Sequence, residues 1–167
     1  MSGPSLGQHP PDFELRDHHG QPVRLSAFRG DRAVVVVFYP FAFTGVCSGE
    51  LRALRDRSAT IQRAGAALLA VSCDPVYALR VFADREQLTY PLLSDFWPHG
   101  AVAQAYGVFD AERGCAERAT FIVDRDGQLC WTVRNERADP RSVDDYERVL
   151  AGISTTAAVS SGVIESS

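Results

Sequence analysis

Residues 33–39 read Ala-Val-Val-Val-Val-Phe-Tyr, an unbroken apolar run rich in β-branched side chains. Such a run suits a strand buried on both faces, so the sheet that holds it needs covering structure on either side. Ala66 to Cys73 has the same character. Between the two runs, Thr44 to Ala64 has a helical pattern, with Leu51, Leu54 and Ile61 near one face.

The remaining segments complete the order. Asp12–Arg16 and Pro22–Leu25 enclose Asp17-His18-His19-Gly20 and read as an N-terminal β-hairpin. Pro75–Leu88 reads as a helix with Pro in its first turn and Ala78, Val81 and Phe82 inward. Pro91–Leu93 is a short strand before Ser94-Asp95, a helix cap, and Gly100–Tyr106 is a short helix ended by Gly107. Thr120–Val123 and Leu129–Arg134 flank the turn Asp124-Arg125-Asp126-Gly127 and form a hairpin. Ser142–Ile153 reads as a closing helix, with Ser142 as cap and acids in its first turn. Strand–helix alternation followed by an antiparallel hairpin predicts an α/β fold. Its central mixed sheet is flanked by helices, in a thioredoxin-like layout. One domain spans residues 1–153, and the small, polar segment 154–167 is expected to be a flexible tail.

Composition narrows the chemistry. The chain has 167 residues, 46% hydrophobic and 23% charged, enough for one sizeable core. A net charge of −4, with both signs interspersed, speaks against nucleic acid or an anionic membrane as the main partner. No stretch is long and apolar enough for a membrane span, and MSGPSLGQHPPDF lacks the basic and apolar regions of a secretory signal. A cytoplasmic location is expected. All 17 cationic side chains are arginine. Without lysine, Schiff-base chemistry and a Walker-type phosphate loop are excluded, and arginine is the permanent side-chain cation. The four cysteines form no Cys-x-x-Cys, and no Cys/His spacing matches a zinc site. Neither a metal nor a disulfide framework is expected in a reducing compartment.

Cys47 is the candidate nucleophile, and two chemistries compete for it. Gly45-Val46-Cys47-Ser48-Gly49 matches the spacing of a nucleophile elbow, which needs a histidine base. Only His99 lies downstream, and Pro40 is among the residues that separate Cys47 from the strand end at Tyr39. The second chemistry needs no base. With Thr44 as cap, Cys47 falls in a helix's first turn, where unpartnered N–H groups and the helix dipole favour an anion. A free thiol has a pKa of about 8.5, and lowering it by two units takes about 2.7 kcal/mol. The dipole supplies about 0.3–1 kcal/mol at an exposed site, so direct hydrogen bonds and an arginine are also required. A thiolate ionised before substrate arrives suits attack on a peroxide O–O bond. Thr44 can place its hydroxyl near sulfur and a bound oxygen, Pro40 can wall the pocket, and Phe41 and Phe43 can form an apolar rim. The same residues also read as a capping Thr, a strand-ending Pro and a buried structural Cys.

Pro40-x-x-x-Thr44-x-x-Cys47 resembles the P-x-x-x-[TS]-x-x-C signature of the peroxiredoxins, thiol peroxidases of thioredoxin-like fold. Arg118-Ala119-Thr120-Phe121-Ile122-Val123-Asp124 is similar to the family's second motif. Leu92-Leu93-Ser94-Asp95-Phe96-Trp97-Pro98-His99-Gly100 and Ala105-Tyr106-Gly107-Val108-Phe109 bring it nearest to the one-cysteine alkyl hydroperoxide reductase E group. The resemblance implies that Cys47 is the peroxidatic cysteine. It places Thr44, Val46 and Arg118 at the peroxide and has Pro40 shield the thiolate. Glu50 either orients the arginine or is simply a favourable first-turn acid. The implied reaction oxidises Cys47 to sulfenic acid, which an external thiol then reduces. No cofactor is implied; the partners are a peroxide, a low-molecular-weight thiol, a redoxin or thioredoxin, and a second copy in a homodimer.

The position five residues after Cys47, where one subgroup of the family carries a resolving thiol, is Arg52. Cys73 and Cys130 read as small core residues. Cys115, in the polar loop Glu112-Arg113-Gly114-Cys115, is the candidate resolver. His18 and His19 are expected to be solvated in their turn, His99 to open a helix, and Trp97 to line the substrate opening or a subunit contact. A redox-sensing protein that uses Cys47 to alter a partner interface stands as the rival to the enzyme.

Overall fold

The structure is a computed structural model and describes residues 3–135 and 141–161. The chain runs β1 (Glu14–Asp17), β2 (Pro22–Arg24), β3 (Ala33–Phe38), α1 (Gly45–Arg63), β4 (Ala66–Ser72) and α2 (Val76–Glu86). It continues through β5 (Leu92–Ser94), α3 (Ala101–Ala105), β6 (Phe109–Asp110), β7 (Cys115–Ala116), β8 (Ala119–Val123), β9 (Leu129–Arg134) and α4 (Val143–Ser161). Seven strands form one sheet in the order β2-β1-β5-β4-β3-β8-β9, and β6 pairs with β7 separately. Strands β3, β4 and β5 are parallel, while β1 and β8 join antiparallel on either side. This is the mixed, helix-flanked, thioredoxin-like sheet expected from the apolar runs.

Every residue of β3 and β4 is buried. Alternate side chains of β3 enter two cores. Val35 and Val37 pack with Leu51, Leu54 and Ile61 of α1, Leu79 and Phe82 of α2, and Tyr146 and Leu150 of α4. Val34, Val36 and Phe38 pack on the other face with Phe13, Leu25, Tyr106 and Phe121. Burying each such side chain contributes about 1.5–3 kcal/mol, which is why the valine run occupies the centre of the sheet.

Four details differ from the sequence reading. Val81 is 59% exposed, and the inward face of α2 is Leu79, Phe82 and Ala83. Spacings of three and four residues set that face, and Val81 lies off it. Helix α3 begins after Gly100, whose φ of 69° suits a residue without Cβ, while the Asp95 carboxylate accepts the N–H groups of Val102 at 3.1 Å and Ala103 at 2.9 Å. Cys115 is not in an open loop; it lies buried in β7. Helix α4 continues past Ile153 to Ser161, through residues expected to begin the loose tail; residues 162–167 lie outside those described. No helix among the described residues is long and apolar enough to cross a membrane.

Candidate active site

Strand β3 delivers the chain to the site and then releases it. The Tyr39 N–H still bonds Val71 O at 3.1 Å, but Pro40 has no N–H and the ladder ends there. Asp74, just past β4, holds the loop that follows. Its carboxylate accepts the Ala42 N–H at 2.9 Å and the Ser72 hydroxyl at 2.7 Å. Phe43 sits at a φ of 68°, and its ring lies 5.1 Å from that of Phe82. A bulky residue in this left-handed region costs about 1–3 kcal/mol, so the loop is held by its anchors rather than by its own preference.

Thr44 takes the N-cap position with extended backbone, and Cys47 falls in the first turn of α1 as expected. The hydroxyl of Thr44 does not cap, however; it donates to Phe41 O at 3.1 Å. The first-turn N–H groups therefore carry no capping side chain. Cys47 is 1% exposed, and Pro40 beside it is buried. Phe43 and Val46, 47% and 48% exposed, form an apolar rim with half-buried Phe41.

The environment of the Cys47 sulfur is not hydrocarbon alone. Arg118 immediately precedes β8, and β8 pairs with β3 so that Ala119 lies opposite Phe38. The register brings Arg118 to the strand end where the Cys47 loop begins, and its Nη2 donates to Cys47 Sγ at 3.6 Å. Glu50 lies one turn beyond Cys47 on α1, not in the first turn. It is buried, with Oε2 at 2.5 Å from Arg118 Nη1 and 2.9 Å from Arg141 Nε. Glu50 thus pairs with the arginine and lies outside the first turn, where a favourable first-turn acid would have to stand.

Arg141 is the residue that sequence reasoning missed. It comes from the segment before α4, and nothing in the sequence marks it among the arginines. Each of its guanidinium nitrogens is bonded: Nε to Glu50, Nη1 to Ala119 O and Thr120 Oγ1 at 2.8 Å each, and Nη2 to Phe38 O. Arg118 is the opposite case. Among the described residues its buried Nε and Nη1 make no hydrogen bond, the contact of Nη1 with Glu50 being ionic without a well-directed N–H···O. One guanidinium is bonded at every nitrogen, and the other, held by Glu50 and facing Cys47, keeps Nε without a hydrogen bond among the described residues. Two positive charges therefore face one carboxylate beside the Cys47 sulfur. Tyr39 is buried nearby, and burial, reinforced by the charges of Asp74 and Cys47, pushes its hydroxyl far above the usual phenol value.

Residues 6–132, most of the chain, match the AhpC/TSA family. The chain belongs to the AhpC/TSA family. It is 43% identical over 149 residues to alkyl hydroperoxide reductase E of Mycobacterium tuberculosis, covering 89% of this chain and 97% of that one. Among solved structures, peroxidoxin BcpB from Mycobacterium tuberculosis matches with a TM-score of 0.81 at 33% identity, covering 92% of this chain and 99% of that chain. Enterococcus faecalis AhpC matches at 0.83 and 29% identity, over 94% and 95%. The resemblance to peroxiredoxins drawn from the two motifs therefore holds across the fold.

The other sequence candidates of this AhpC/TSA chain lie as follows. No disulfide joins any of the four cysteines. Burial, then the charge of Asp95, pushes the Cys73 thiol up to about 12, and burial takes Cys130 up to about 11. His18 is not solvated: it is buried, and its Nδ1 accepts the Leu92 N–H at 3.2 Å. His99 bonds the carbonyls of Phe96 at 3.1 Å and Gly114 at 2.7 Å rather than Cys47, which removes the base an elbow hydrolase needs. Trp97 lines a cleft of about 740 Å³ with His18, His19 and Tyr77; Cys47 is not part of it.

Proposed function

We propose that Cys47 is the nucleophile through which this thiol-dependent peroxidase reduces hydroperoxides. The observation that carries the assignment is the Arg118 guanidinium at 3.6 Å from a buried sulfur, paired with Glu50 through Nη1 and with Nε making no hydrogen bond among the described residues. The Cys47 thiolate attacks the terminal peroxide oxygen, an S–O bond forms as the O–O bond breaks, and the departing oxygen leaves as alkoxide or hydroxide and takes up a proton. Donors aimed at that oxygen stabilise its growing charge, as in an oxyanion hole. Arg118 and the uncapped first-turn N–H groups at Val46 and Cys47 supply them. Thr44 gives its proton to Phe41 O, so its oxygen is left to accept one from the peroxide. Pro40 walls the pocket without adding a donor, and Glu50 holds Arg118.

The sulfenic acid on Cys47 is then reduced from outside the chain. A low-molecular-weight thiol, or the thiol of a redoxin or thioredoxin, condenses with it and releases water; a second thiol frees Cys47 as the disulfide leaves. The burial of Cys115 in β7 supports this one-cysteine route. A cytoplasmic setting and a homodimer belong to the same proposal. Four cysteines without a disulfide support the first. Apolar side chains left in solvent, Tyr77 at 85% and Trp97 at 82% exposure, support the second.

Peroxide consumption with dithiothreitol as reductant tests the reading. Steady turnover is expected from the wild type and from Cys115→Ser, and none from Cys47→Ser. Stoichiometric oxidation without turnover would favour a sensor. Loss of turnover in Cys115→Ser would make that residue the resolver.

A further inference from the structure

Behind the two guanidiniums lies a contact that the reaction itself does not use. Thr120 of β8 is 0% exposed, and its Oγ1 accepts a hydrogen bond from Arg141 Nη1 at 2.8 Å. The same oxygen lies 2.6 Å from the hydroxyl of Tyr146, on α4, which is 1% exposed. Either hydroxyl can donate to the other. The Tyr146 ring is fixed edge-on to Trp131 at 5.7 Å. Helix α4 is also tied to α1, which carries Cys47 and Glu50: Arg57 Nε bonds Glu147 Oε1 and Nη2 bonds Asp144 Oδ1, each at 2.8 Å.

We propose that Tyr146 is a positioning residue of the peroxidase site: acting through Thr120, it fixes Arg141 on Glu50 and thereby sets where Arg118 stands over Cys47. The inference rests on Cys47 as the nucleophile. Arg141 does not belong to a strand of the sheet, and a long arginine side chain loses rotamer entropy on being held. Glu50 and the carbonyls of Ala119 and Phe38 hold part of its guanidinium. The two buried hydroxyls in series add a further restraint, because each left unpaired is costly. Glu50 Oε2 is shared by both guanidiniums, so where Arg141 stands decides how much of the carboxylate's charge falls on Arg118. With Arg141 displaced, Glu50 offsets Arg118 one for one, and the positive surplus at the sulfur is lost. The docking of α4 becomes a condition for a working site. Among the described residues, the charged or titratable groups around the sulfur are Arg118 ahead of β8, Glu50 of α1, Arg141 ahead of α4, Tyr39 at the end of β3 and, beyond it, Asp74 after β4.

The test uses the full chain and three single variants. Thr120→Val keeps the shape and removes the hydroxyl, Tyr146→Phe removes only the phenolic oxygen, and Thr120→Ser keeps a hydroxyl. Two readouts are taken: the second-order rate of Cys47 oxidation by peroxide, and the rate of its alkylation by iodoacetamide from pH 5 to 9. The second does not depend on peroxide, so it tests the positioning even if Cys47→Ser were to retain turnover and the peroxidase reading fell. Tyr146→Phe and Thr120→Val are each expected to slow oxidation about threefold to tenfold, the scale of one hydrogen bond, and to move the alkylation profile to higher pH. Thr120→Ser is expected to keep both near wild type. The double variant Tyr146→Phe/Thr120→Val is expected to be no slower than the slower single one, because both cut the same connection. The proposal is overturned if both single variants stay within about twofold of wild type with an unmoved profile, that being below the effect of one hydrogen bond. It is equally overturned if Thr120→Ser is as slow as Thr120→Val, or if the two losses add. Should Tyr146→Phe not fold, Thr120→Val and Thr120→Ser decide alone.

Discussion

Arg118 Nη2 stands 3.6 Å from the sulfur of Cys47, across 71 positions of sequence. The pairing of β3 with β8 makes that contact, and the site is built around it. A hydrogen bond to a charged group is worth about 1.5–3 kcal/mol, and each 1.4 kcal/mol is tenfold in rate.

Arg118→Ala is therefore expected to slow the oxidation of Cys47 by peroxide at least tenfold. Stopped-flow tryptophan fluorescence under single-turnover conditions reads the rate directly. An unchanged rate removes Arg118 from the mechanism.

Glu50 is held between two buried guanidiniums, so neutralising it leaves two like charges facing each other. Glu50→Gln is expected to cost about 3 kcal/mol of stability, as breaking a buried ion pair does. Urea denaturation measures this as a lowered midpoint with an unchanged slope. A loss below about 1 kcal/mol, the range of exposed pairs, would mean that the cluster is solvated.

His18 gives a pH dependence with a definite sign. Burial, and then the charge of His19, lowers its pKa below 6.5, and accepting the Leu92 N–H requires a neutral ring. As pH falls through 6.5, the unfolded chain takes up the proton before the folded one does. The contribution of His18 is therefore fully present above that pH and is lost on the acid side. Melting temperatures at pH 7.5 and pH 5 are expected to differ more in the wild type than in His18→Asn, whose amide oxygen still accepts the N–H. Equal acid sensitivity in the two proteins would rule out His18 as the source.

With thiols pushed up to about 12 and about 11, Cys73 and Cys130 hold very little thiolate at pH 8. Brief treatment of the native protein with iodoacetamide at pH 8, followed by peptide mass mapping, is expected to label Cys47 ahead of both. Label on Cys73 before Cys47 would show that the raised thiol values do not control their reactivity.

The valine run, the second apolar strand and the helix between them were readable because each carries its own local pattern. So was the position of Cys47 at a helix start, which needs only Pro40, Thr44 and a helical register. Val81 was placed on the wrong face by a small error in phase. Cys115 looked like a loop thiol because its neighbours are polar, yet β7 draws it inward. Arg118 was found by likeness to a family motif, not by any property that sets it apart from the other arginines. Arg141 carries no such mark at all.

Sequence alone determined the elements and put a cysteine where helix amides gather, since backbone preferences and apolar periodicity act over a few neighbouring residues. Only the folded chain decided which charges surround that cysteine. Electrostatic and hydrogen-bond energies depend on separation in space, and strand order, not position along the chain, brings Arg118, Glu50 and Arg141 together at the end of β3.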